Sequence, residues 1–77
     1  MYLTADDFYK IRKVYRLTLE DIGALCSVSA AYINMVEKGK RNLSERVKRR
    51  LIAELQLTPD KLARILEIYN ETNIRGL

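Results

Sequence analysis

A short hydroxyl side chain stands just ahead of each apolar run in this chain, and that arrangement limits the fold more than any other feature. Thr4 is followed three residues later by Asp7, and Thr18 by Asp21 at the same interval. A hydroxyl that accepts from an early helical N–H, with a carboxylate reaching back to the cap, is the signature of a helix start. Ser29 and Ser44 read as simpler N-caps. Thr58-Pro59 joins a cap to a proline at the first helical position, where the missing N–H has no partner to lose.

Behind each cap the apolar residues recur at helical spacing. Phe8, Ile11, Val14 and Tyr15 form a first stripe to about Arg16, and Leu19, Ile22, Leu25 and Cys26 a second. Ile33 and Val36 face inward in a third helix that Gly39 ends as a left-handed cap. Val47, Leu51 and Leu55 follow in a fourth helix, then Leu62, Ile65, Leu66 and Tyr69 in a fifth. No long alternating segment of the kind a half-buried strand needs is present. The expected fold is therefore all-α, a compact bundle of five short helices. It forms one domain over residues 1–72, with a frayed tail over 73–77. Ile68, Ile74 and Leu77 are apolar residues left over once the fifth stripe fills the core, and they predict self-association through the last helix and the tail.

Composition excludes several classes of function. With 77 residues, 48% of them hydrophobic, the chain holds one small core, stable by roughly 4–11 kcal/mol at about 0.05–0.15 kcal/mol per residue. The single cysteine, Cys26, cannot form an internal disulfide, and no histidine joins it as a zinc ligand, so neither metal nor cofactor is expected. No nucleophile–base pairing or glycine-rich phosphate loop points to an enzyme. No apolar run is long enough for a signal peptide or a membrane span, which fits a cytoplasmic protein with no membrane partner. Net charge is +4, and residues 38–50 concentrate it: Lys38, Lys40, Arg41, Arg46, Lys48, Arg49 and Arg50 face Glu45 alone. Such a patch suits a polyanion, although a solvated helix face has the same composition.

Thr18 to Lys38 reads as a two-turn helix, a tight turn and a second two-turn helix, the spacing of a helix-turn-helix. The run Leu17-Thr18-Leu19-Glu20-Asp21-Ile22-Gly23, through Val28-Ser29, to Ile33-Asn34-Met35-Val36-Glu37-Lys38-Gly39-Lys40-Arg41 resembles the Cro and lambda-repressor (XRE) helix-turn-helix family, without a gap. The resemblance extends from about Ile11 to Leu66 and implies a lambda-repressor-like domain. Four positions depart from the family pattern. Leu19 stands where a glutamine usually meets the DNA backbone, and Cys26 stands at a leucine position, which favours packing over redox chemistry. Ser27 replaces the turn glycine, with a strain of about 1 kcal/mol if the turn needs positive φ there, and Leu43 replaces a proline.

Arg12 shares the helical arc of Phe8, Ile11 and Tyr15, and Glu37 that of Ile33 and Val36. The two charges are each other's natural partners, and the resemblance implies the same pairing; the alternative is that both reach out to water. On the outward face of the third helix, about residues 29–38, the resemblance implies that Ala30, Ala31, Tyr32, Asn34 and Met35 face bases in the major groove. Thr18, Ser29, Lys38, Lys40, Arg41, Asn42 and Arg46 are the expected backbone contacts, at helix N-termini or in the basic loop. The expected function is a sequence-specific regulator, a repressor of phage or mobile-element type, that binds a double-stranded DNA operator as a homodimer in the nucleoid. Because Ala30, Ala31 and Met35 are apolar, an antirepressor or toxin partner is a rival reading, and non-specific architectural DNA binding is another.

Overall fold

The computed structural model describes the backbone of residues 1–74 and the side chains of residues 1–72. Five helices run in the order α1 (Ala5–Val14), α2 (Leu19–Cys26), α3 (Ala30–Glu37), α4 (Glu45–Leu55) and α5 (Pro59–Ile74). Each begins at its expected cap. Thr4 Oγ1 accepts from Asp7 N at 3.0 Å while Thr4 N donates to the Asp7 carboxylate at 3.2 Å, and Thr18 and Asp21 repeat the box at 3.0 Å in both directions. Ser29 Oγ, Ser44 Oγ and Thr58 Oγ1 accept from Tyr32 N, Val47 N and Lys61 N at 3.1–3.2 Å.

The helix ends share one device. At each of the first four, a residue with positive φ closes a pair of backbone hydrogen bonds, and the next residue reaches back to a carbonyl five positions earlier, the arrangement of a Schellman motif. Leu17 N donates to Arg12 O at 3.0 Å, Val28 N to Gly23 O at 2.9 Å, Lys40 N to Met35 O at 2.8 Å and Leu57 N to Ile52 O at 2.9 Å. The left-handed residues are Arg16 (φ 56°), Ser27 (59°), Gly39 (75°) and Gln56 (51°). Only one is glycine, so the other three each carry a strain of about 1–2 kcal/mol. What compensates is the residue that follows: Leu57 is buried, and Leu17 and Val28 pack against the core.

The first of these turns corrects the first stripe. α1 stops at Val14, so Tyr15 becomes the C-cap and is 36% exposed rather than inward-facing. The core is Phe8, Ile11, Ile22, Cys26, Ile33, Val47, Leu51, Leu62 and Ile65, joined by Leu3 and Leu57 from outside the helices. α1 packs on α5 and α3, and α2 on α3 and α4. Gly23 makes the α2–α3 approach close: a Cβ there would lie 2.7 Å from Val28 O. Ile68 is half-buried beside α1 rather than a free apolar residue; Leu77 and the Ile74 side chain lie outside the described residues.

Candidate nucleic-acid interface

α2 and α3 are set against each other by the turn through residues 27–29. Ser27 supplies the left-handed bend, Val28 tucks toward the core, and Ser29 caps α3. Ile33 and Val36 bury one face of α3 completely. On the other side Ala31 and Lys38 are exposed, and Ala30, Asn34 and Met35 are half-buried. No acidic residue occupies the first turn of α3, so its N-terminal N–H groups keep their attraction for an anion. The first turn of α2 differs: Glu20 and Asp21 stand there, and the Thr18 N–H, with its hydroxyl, holds the Asp21 carboxyl below its usual range. A phosphate at Thr18 would meet that charge, which makes Thr18 the weakest of the expected backbone contacts.

Tyr32 ties α3 to the loop that follows it. Its hydroxyl donates to Asn42 O at 2.8 Å and accepts from Ser44 N at 3.2 Å, so its single proton is committed within the protein. The side chain thus spans from α3 to the loop over residues 39–44 and fastens one to the other. Tyr32, Gly39, Lys40, Arg41, Asn42 and Ser44 line a shallow cavity of about 450 Å³ there. Lys40, Arg41 and Asn42 are exposed, as are Lys38 and Arg46. Among the described residues none of these four cations lies within 4.0 Å of a carboxylate. Lys48 does, pairing with Glu45 at 3.0 Å. Arg50 Nε donates to Leu25 O at 3.0 Å, so this residue of the patch closes the end of α2; only the three-dimensional arrangement reveals that role.

Behind the interface Arg12 and Glu37 come together as a two-point pair. Nε donates to one carboxylate oxygen at 2.7 Å and Nη2 to the other at 2.9 Å, while Nη1 donates to Leu17 O at 3.0 Å. The side chains are 14% and 8% exposed. Glu37 raises the Arg12 pKa further, outweighing the opposing effect of burial. One guanidinium thus joins α1, the α1–α2 connection and the last residue of α3. Cys26 is buried with its thiol pushed up by that burial, which makes it a packing group.

The sequence model of the helix-turn-helix family matches residues 8–62, from the first core residue of α1 into α5, and spans every residue of the arrangement just described. The chain belongs to the helix-turn-helix family. It is a DNA-binding regulator of the XRE type, in a family whose business is regulation rather than catalysis. No curated protein and no solved structure matches the chain. In this helix-turn-helix protein no helix among the described residues is long and apolar enough to cross a membrane.

Proposed function

We propose that the protein is a sequence-specific transcriptional repressor of phage or mobile-element type, acting in the cytoplasm as a homodimer on operator DNA. The observation that carries this reading is the coupling of two unlike surfaces. The outward face of α3 is small and nearly uncharged, and Tyr32 fastens it to a loop whose cations have no partner among the described residues. The loop supplies affinity through phosphates and α3 supplies selectivity, because only base contacts carry sequence information. Ser29, Lys38, Lys40, Arg41, Asn42 and Arg46 are the backbone contacts in this reading, and Ala30, Ala31, Asn34 and Met35 meet the major groove.

With Tyr32 engaged elsewhere, Asn34 is the one residue in the middle of α3 that can make a two-point hydrogen bond to adenine. Alanine and methionine contact thymine methyl groups, so A·T-rich half-sites follow, centred about 34–36 Å apart for a two-fold dimer. Competition binding tests this. Asn34→Ala is expected to weaken operator binding by about 1–3 kcal/mol and leave random-sequence DNA nearly unchanged. Equal losses on both would make Asn34 a backbone contact and overturn the reading. The apolar face of α3 equally favours a protein ligand, an antirepressor or a toxin, and co-purification of a stoichiometric second protein that blocks DNA binding would select that alternative.

A further inference from the structure

A second concave surface lies between α1 and α5 and takes no part in the reading above. Tyr9, Val14, Ile68 and Tyr69 line it together with Lys13 and Arg16, and its volume is about 620 Å³, within the range of about 300–1,000 Å³ typical of small-molecule sites. α1 lines it from Tyr9 to Val14, about 8 Å at about 1.5 Å per residue, and α5 only from Ile68 to Thr72, about 6 Å. A hollow that short suits a compact molecule better than a docked helix.

Its charge is one-sided. Lys10, nearby, is tied to Asp6 at 2.8 Å, but neither Lys13 nor Arg16 has a carboxylate within 4.0 Å among the described residues. The Tyr9 and Tyr69 rings meet edge-to-face with centroids 6.3 Å apart, leaving an aromatic wall beside those cations. Arg16, the left-handed residue after α1, also lines the hollow.

We propose that this groove binds a small amphipathic anion, a carboxylate on an aromatic or aliphatic body of about ten carbons. Lys13 and Arg16 hold the charge, and Tyr9, Val14, Ile68 and Tyr69 cover the body. The site adjoins the ion pair that fixes the end of α3, because the Arg12 guanidinium lies 5.5 Å from the centroid of the Tyr9 ring.

Fluorescence titration of the whole protein with anilinonaphthalene sulfonate tests the proposal, with uncharged phenylnaphthylamine as the control for charge. The sulfonate is expected to bind one-to-one, to be displaced by decanoate, and to shift the NMR signals of Tyr9, Ile68 and Thr72. Lys13→Glu and Arg16→Gly are each expected to weaken the sulfonate about tenfold and to leave phenylnaphthylamine unaffected, as loss of a charge-assisted contact requires. Arg16→Gly guards against misfolding, since glycine is at ease at that φ, and thermal melts verify that both variants remain folded. Absence of saturable binding, equal binding by all variants, or shifts confined to residues 38–46 would overturn it. So would sedimentation showing that Lys13→Glu or Ile68→Glu dissociates a dimer in whose intact form the sulfonate finds no site.

Discussion

Arg12 and Glu37 show how much of a small domain can depend on one polar contact. Each charge is mostly withdrawn from water, and the cost of that withdrawal is recovered only through the two-point pair and the third bond to Leu17 O. Removing either partner strands the other. Arg12→Ala and Glu37→Ala are each expected to cost about 3 kcal/mol, the low end of the range for buried pairs because Arg12 keeps some exposure. The double variant should be less harmful than the sum, and denaturant melts of all three measure it; additive losses would mean the groups act separately. Gly23 is the second residue on which the fold turns. Alanine there would gain about 1 kcal/mol of helix propensity but put a methyl carbon 2.7 Å from Val28 O, which is backbone and cannot swing aside. Overpacking of that kind costs about 1–3 kcal/mol, so Gly23→Ala is expected to be destabilising on balance. It is also expected to weaken DNA binding more than it lowers the melting temperature implies, since the clash lies between α2 and α3.

The helices are held at their ends as much as along their faces. N-caps came from serine and threonine, and four C-termini closed with the same pair of backbone bonds although three lack glycine. Those three turns are held by the apolar residue that follows, which is why Leu17, Val28 and Leu57 matter more than the residue in the strained position. Gln56 offers the cleanest measure of that strain: its side chain is exposed, and no side-chain hydrogen bond of its own is found among the described residues. Gln56→Gly relieves about 1–2 kcal/mol of left-handed strain and adds about 0.5–1 kcal/mol of unfolded-state entropy. A net gain of about 0.5–1 kcal/mol is expected, a rise in Tm of about 2–8 °C at this chain length. A fall in Tm would mean that glycine's greater freedom outweighs the strain.

Across the whole molecule charge is sorted by position. The acidic residues at the starts of α1, α2 and α4 complement those helix dipoles, while α3 begins without one and the loop after it carries cations that have no carboxylate partner among the described residues. An interface of that kind releases counterions on binding DNA, so log Kd should vary steeply with log salt, by about 0.9 per phosphate neutralised. Lys40→Ala and Arg41→Ala are each expected to flatten that slope by about one contact without altering which sequence is preferred. Filter binding at several salt concentrations gives the slopes, and a slope untouched by both replacements would move the phosphate contacts elsewhere.

Helix starts, the inward stripes and the helix-turn-helix spacing were legible in the residues alone, because a cap or a periodic face is decided by neighbours three or four positions away. The pairing of Arg12 with Glu37 could be anticipated for a related reason, since each charge interrupts a stripe that must be buried. Four features depended on parts of the chain that the sequence keeps apart. Leu3 and Leu57 belong to the core although neither lies in a helix: Leu3 precedes α1, and Leu57 lies between α4 and α5. The hydrogen bonds of the Tyr32 hydroxyl to Asn42 O and Ser44 N exist only because the loop after α3 closes onto it. Arg50 looked like a solvated cation until α4 crossed the end of α2. The groove beside Arg16 exists only because α5 lies along α1. Local hydrogen bonding and periodicity are written in short stretches, whereas a side chain's partner across helices is settled only when packing brings distant backbone within reach.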